Sequence, residues 1–453
     1  MKTCPTSRPL ALGLSGVIVP VALGAQPAAP AAPPLQPAAP KSPWSYAASL
    51  TLKEAYDSNV YIQDAEPTPA NVAAARAAGL NPVEAQKGSF VTSLLPRLSL
   101  DWRPSAAFNV SAAYAPEIVF YHSASSEDYV THRGTLNLTG KIQDTAWELL
   151  NTAAYIDGNE LGPTFARPGD VPAIGGIPLR DRREAFVFRN SFRVTQPYGK
   201  FFFRPVMTTY FHDFKTDQRT SGAGYAYENY IDRQDLNGGV DVGYQVYDRT
   251  HLVLGYRYGA QDQFTLLGAD SPYDSTYHRI LVGVEGSPAK WVKLSLLAGP
   301  DLRHFSAGTP AGFDRNELLY WVDASVTLLP TSQDTITLLN RRYEHPAFSS
   351  FSVYEDVTYE ITWKHKFDDQ LSLSAGFRAY LGDWQAPVQR EDWIYTPSVT
   401  VGYAFSAQLS AELAYSYDWV ENNAAVVIGT PTEFADGRKF TRHMVSLGLK
   451  YTF

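Results

Sequence analysis

The feature that most constrains this chain is a period of two that runs from Trp44 to the last residue with no intervening domain boundary. Near the end, Val445, Leu447, Leu449, Tyr451 and Phe453 fall on one face of an extended segment; Arg442, Met444, Ser446, Gly448 and Lys450 fall on the other. The segment before it repeats the pattern, with Leu409, Ala411, Leu413, Tyr415, Tyr417 and Trp419 alternating with Ser410, Glu412, Ala414, Ser416 and Asp418. Strand side chains alternate between faces, so one face is apolar and the other carries charge. A packed sandwich tolerates few charges toward its core. A membrane barrel tolerates them, because lipid covers one face and water the other.

Applied to the whole chain, this periodicity predicts an all-β fold, a transmembrane antiparallel up-and-down β-barrel of about 18 strands (range about 16–18) with both termini periplasmic. The connections carry the second half of the argument. Tight turns such as Arg103-Pro104-Ser105, Tyr247-Asp248-Arg249, Gly286-Ser287-Pro288 and Phe405-Ser406-Ala407 alternate with long connections at 59–87, 157–182, 215–228 and 421–437. Short periplasmic turns facing longer external loops are the outer-membrane pattern.

Composition fits the same reading. Charged residues make up 19% of the 453 and mean hydropathy is −0.22, with no run of about 20 apolar residues to form a spanning helix. Only alternate residues need to face lipid, so hydropathy stays low. The net charge of −8 comes without a basic run, which argues against nucleic acid as a partner.

Residues 1–25 have the form of a cleaved signal peptide: Lys2 and Arg8 precede an apolar stretch from Leu10 to Leu23. Cys4, the only cysteine, would leave with it, so no disulfide framework is expected. Residues 26–43, rich in Ala and Pro, predict an extended periplasmic leader, and 44–453 the barrel. The expected location is the outer membrane of a Gram-negative cell.

Aromatic residues cluster at segment ends, where two interfacial girdles are expected. Trp102, Trp147, Trp291, Tyr403 and Phe405 flank short turns; Trp321, Trp384, Trp393 and Trp419 lie near long connections.

Alternation places both signs of charge inward. The basic pore-lining candidates are Arg97, Arg189, Arg193, Arg204, Arg257, Arg303, Arg378, Arg442 and Lys450; the acidic ones are Asp101, Asp241, Asp301, Asp323, Glu360, Glu412 and Asp418. Facing lipid near the midplane, each charge would cost about 2–4 kcal/mol, so a water-filled interior is expected. These charges either orient polar solutes or pair across strands to stiffen the wall. Arg189, Arg193 and Arg204 form the one local bias, an anion-favouring cluster. Two loops are candidates for narrowing the lumen: residues 68–79, which read as a short helix, and residues 167–178, rich in Pro and Gly.

Signals for catalysis are thin. His122-Ser123 invites comparison with a Ser/His hydrolase, but adjacent strand residues point to opposite faces. Asp270 and Asp274 share a loop, where a divalent cation is the alternative to a solvated acidic turn. No cofactor is expected.

Glu54-Ala55-Tyr56-Asp57-Ser58-Asn59-Val60-Tyr61, Leu95-Pro96-Arg97-Leu98-Ser99-Leu100 and the closing Tyr451-Thr452-Phe453 resemble the β-barrel porin family of outer-membrane proteins associated with exopolysaccharide loci. The resemblance implies a single-chain barrel with a pore-like interior and no catalytic residues. Tyr451 and Phe453 resemble the terminal signal read by the barrel-assembly machinery. The expected function is passive diffusion of small polar solutes; the alternatives are an outer-membrane component of polysaccharide export, engaging an oligosaccharide, and a structural, non-conducting barrel.

Overall fold

In the computed structural model, the described residues are 42–60, 87–158, 184–218, 230–348, 351–385, 390–424 and 440–453. The expected signal peptide and most of the expected leader, the helix expected at 68–79 and the loop at 167–178 lie outside them.

The strands are β1 (Trp44–Asp57), β2 (Ser89–Ser105), β3 (Phe108–Tyr114), β4 (Glu117–Tyr121), β5 (Tyr129–Ile142), β6 (Thr145–Asp157), β7 (Glu184–Tyr198), β8 (Phe201–Phe214), β9 (Arg233–Tyr247) and β10 (Thr250–Gln263). They continue as β11 (Ser275–Ala289), β12 (Val292–Phe305), β13 (Asn316–Leu328), β14 (Asp334–Pro346), β15 (Val353–Lys366), β16 (Leu371–Trp384), β17 (Arg390–Ala404), β18 (Leu409–Ala424) and β19 (Thr441–Thr452). Neighbours in sequence pair antiparallel, and β1 pairs with both β2 and β19, closing the sheet. Closure gives every strand a ladder partner on both sides over at least part of its length.

β3 and β4 form one stave, so the barrel has eighteen. Tyr114↔Gly134 and Glu117↔Thr131 keep one register with β5 across the gap. Pro116 sits in the gap; lacking an N–H, it drops one ladder bond without shifting a side chain.

The outer face is apolar. Leu447, Leu449, Leu413, Val282 and Leu254 are all exposed there. On β13 the outward set runs from Leu318 through Tyr320, Val322, Ala324 and Val326 to Leu328, a span of about 25 Å at the usual tilt, the height of a lipid-facing band. Both ends of the described chain emerge at the short-turn end: Trp44 pairs with Trp102, and Thr452 with Ser49.

The girdle at that end forms as expected. Trp44 and Trp102 stack at 5.3 Å, and Phe108 packs on Trp102 and Trp147. The loop-end girdle differs. Trp393 and Trp419 face out, but Trp321 lines the interior and Trp384 is buried against Tyr354, contrary to the expectation for those two. Alternation decides this, since both stand in phase with inward neighbours. Hydrogen-bonded pairs do much of the girdle's work instead: Tyr114–His132 (2.7 Å), Tyr256–His278 (2.8 Å) and Tyr415–His443 (2.9 Å) bridge adjacent strands on the outer face. His122 belongs to this outer rim too, 2.8 Å from Thr92, whose hydroxyl donates to Glu54.

Candidate functional site: the barrel interior

The interior is decided by one hairpin. β14 keeps its register with β15 from Asp334↔His365 to Pro346↔Val353, yet it leaves β13 above Val322↔Arg342. The freed half of the hairpin crosses the lumen and docks on β9 and β10. Having left its own ladder, this backbone needs new donors. Gln261 Nε2 donates to the Glu344 carbonyl (3.0 Å), Arg233 Nη1 to that of Pro346 (2.6 Å), Gln263 Nε2 to that of Ala347 (2.7 Å), and the Ile231 N–H to that of Phe348 (2.7 Å). Phe348 stacks with Phe214 and Tyr230 over a cluster that includes Ala185. The hairpin thus narrows the lumen, a task the sequence assigned to other connections.

Ion pairs continue from that dock down the wall. Arg303, fully buried, reaches Glu344 on the hairpin at 3.0 Å and Asp301 at 3.3 Å, and Asp301 also holds Arg279 at 2.7 Å. Arg204 binds Asp241 at 3.0 Å and Glu285 at 2.8 Å, and Arg257 holds the other oxygen of Asp241 at 2.7 Å. Two inward rings cover the glycines beside them. Phe202 lies over Gly243 and Tyr277 over Gly259, where a Cβ would sit 2.0 and 2.3 Å from ring atoms.

All sixteen pore-lining candidates stand on the inward face in the observed registers. Their surroundings differ from the uniformly water-filled interior expected. Asp241, Asp301, Arg303, Glu360, Asp418, Arg204 and Arg442 are buried. Arg442 donates two hydrogen bonds to Asp57, tying β19 to β1 where the barrel closes. Asp418 accepts from Thr396 (2.9 Å), and Glu360 stands opposite Arg378. Arg303 and Asp301 are buried beneath the hairpin, whereas Arg204 and Asp241, toward the short-turn end, are covered by each other, Glu285, Arg257 and Phe202.

The anion-favouring cluster is also revised. Arg193 pairs with Glu148, and Arg204 is saturated by two carboxylates. Arg189 remains exposed on the wall of the central chamber, with Arg341, which lies 3.7 Å from Asp323. That chamber has a volume of about 410 Å³ and also holds Tyr210, Trp321 and Tyr343.

At the short-turn end a second cavity of about 500 Å³ is lined by Lys53, Lys364, Lys366, Glu412 and Lys450. Arg97 is exposed to the lumen at this end, and Asp101 sits 4.0 Å from Arg103 at the rim. In the β15–β16 turn, Asp368 accepts the N–H groups of Gln370 (2.8 Å) and Leu371 (2.6 Å), which hold its carboxyl below the usual range. Asp274 accepts the Gln263 N–H (3.0 Å), anchoring its loop, while burial pushes its carboxyl up. Among the described residues no group of three or more His, Cys, Asp or Glu is placed to hold a metal ion.

The residues missed from sequence are Arg233, Gln261 and Gln263. Two inward glutamines two apart at a strand's loop end, facing the length of the lumen, are the only signal that a backbone is to be received there.

No family model matches this chain, and no curated protein matches it. Solved structures do align with it. The outer membrane protein OpdK of Pseudomonas aeruginosa shares 11% identity over 90% of this chain and 98% of its own, at a TM-score of 0.39. OccK9 (OpdG) of the same organism shares 11% over 90% and 98%, at 0.41. The copper transporter OprC shares 8% over 91% and 81%, at 0.41. These alignments are too distant to carry a role to any residue of this chain.

Proposed function

We propose that this protein is an outer-membrane channel for passive diffusion of small polar solutes, with the long connections outside the cell and both ends of the barrel domain in the periplasm. One observation carries the reading: cavities of about 500 and 410 Å³, lined in part by charged side chains, lie inside a closed barrel whose outer face is apolar. The infolded hairpin narrows the described interior, and Arg189 and Arg341 supply charge on the wall of the chamber beside it. Hydrocarbon on the outer face accounts for the exposed leucines and valines, and headgroups account for the Trp and Tyr–His girdles.

Tyr451 and Phe453 face outward, their rings 5.0 Å apart, on a strand whose last N–H donates to Ala48. This geometry suits recognition by the barrel-assembly machinery before closure. The reading assigns no catalytic residue and no cofactor. Liposome swelling with sugars of graded size tests it. Swelling with monosaccharides and discrete conductance steps in planar bilayers are expected; folded, membrane-inserted protein that shows neither refutes the channel and leaves a structural barrel.

A further inference from the structure

Acids and donors are not equally engaged on the wall of the central chamber. Asp241 is held by Arg204 and Arg257, and Glu285 by Arg204. Asp235 accepts from Gln261 Nε2 and from the Tyr277 hydroxyl, both at 2.7 Å, and Glu344 is paired with Arg303. Each of these four acids is held by side chains of the wall itself.

Three donors of the same chamber are not held in this way. Arg189, exposed on β7, makes no hydrogen bond or ion pair among the described residues, and the Tyr343 hydroxyl makes no hydrogen bond among them. Arg341 lies 3.7 Å from Asp323, beyond hydrogen-bond reach, and both side chains are about half exposed. β14 leaves the wall above Arg342, and that inward turn brings Tyr343 and Arg341 into one chamber with Arg189. Both act electrostatically on Arg189. Elsewhere in the interior the buried guanidiniums of Arg279, Arg303 and Arg442 are bound by carboxylates and serve the fold. Those of Arg189 and Arg341 are left for something else.

The charge and shape of this corner select a class of ligand. Two guanidiniums against the single carboxylate of Asp323 leave a surplus of one positive charge, which suits a monoanion. A dianion would set a second negative charge beside Asp323. A guanidinium fork matches the paired oxygens of a carboxylate, and the Tyr343 hydroxyl adds a further donor. Thr208, Asn237 and Trp321 on the same wall offer an uncharged surface to a hydroxylated body.

We propose that Arg189, Arg341 and Tyr343 form a binding station for a small solute with one carboxylate and an uncharged, hydroxylated body, a sugar acid in chemical terms. This rests on the channel reading above and names its solute class.

Glucose, gluconate and glucarate are alike in size and differ in charge, being neutral, monoanionic and dianionic at neutral pH. The full-length protein is placed in planar bilayers in KCl, and interruptions of the single-channel current by each solute are timed. Gluconate is expected to give the longest interruptions. Arg189→Gln should shorten them about tenfold, as the loss of a charge-assisted pair implies, and leave those of glucose unchanged. Tyr343→Phe should shorten them less. Equal interruptions by glucose and gluconate, or gluconate interruptions unaltered in Arg189→Gln, refute the station and leave the channel standing. Longer interruptions by glucarate overturn the assignment of a single charge. Inserted protein that never conducts refutes the channel and the station with it. Should Arg189→Gln not fold, Arg341→Gln and Tyr343→Phe decide between the same outcomes.

Discussion

The two ends of the interior share one alternating pattern and have opposite characters. At the loop end, Arg303, Glu344, Asp356, Asp392, Asp418 and Arg442 are buried in a water-poor network. At the short-turn end, Arg97, Glu412 and Lys450 stand in an open cavity or face the lumen directly. Nothing in the local sequence of these strands separates the two. The difference is made by the β14–β15 hairpin, which fills one end and leaves the other wet. Inward charge is therefore chiefly structural at the loop end and chiefly a solvated lining at the short-turn end, where the Arg204–Asp241–Glu285 group is the buried exception.

The largest expected effect compares the two ends directly. Arg303→Met strands Glu344 without its cation, leaving Asp301 to Arg279 alone, and should cost about 3–5 kcal/mol, whereas Lys450→Met should stay within about 0.5 kcal/mol. Urea unfolding in detergent, followed by loss of heat-modifiable migration, measures both; equal shifts would erase the distinction between the ends. Next, Arg233→Met combined with Gln263→Leu removes two of the four donors that receive the hairpin backbone. Single-channel conductance should then rise severalfold, and an unchanged value would mean that the hairpin does not limit flow. Third, Arg189→Glu with Arg341→Glu should move the reversal potential toward cation selectivity. Glu412→Lys, in the wider cavity, should move it less.

The smallest effect concerns pH. Asp368 is held below its ordinary range by the N–H groups of Leu371 and Gln370. Its folded pKa is lowered, so its contribution is present above the unfolded value of about 4 and is lost as pH falls through the folded value. Asp368→Asn should lower neutral stability slightly, leave stability in strong acid nearly unchanged, and so flatten the acid limb of the profile. A steeper acid limb would contradict the turn geometry.

Much of this architecture could be read from the residues. The alternation at Val445–Phe453 gave the correct outward face, and the tight turns gave the strand order and closure. All sixteen inward candidates lie on the predicted face. Trp321 and Trp384 were misplaced because nearness to a loop says nothing about phase; counting alternate residues forward from Leu318 would have placed Trp321 inside. Burial was not legible for Arg303, since a strand that faces water and a strand that faces a docked hairpin have the same periodicity, nor for Arg204 or Asp418, whose partners stand on other strands.

What the sequence determined by itself is the barrel: a period of two repeated across eighteen staves, with closure demanded because no strand edge is stable against lipid. What only the tertiary structure decided is the interior. The dock of residues 344–348 on Arg233, Gln261 and Gln263 joins segments about a hundred positions apart, through side-chain amides that carry no periodic signal. Local pattern reports which face a residue takes, and only the folded chain reports what fills the space in front of it.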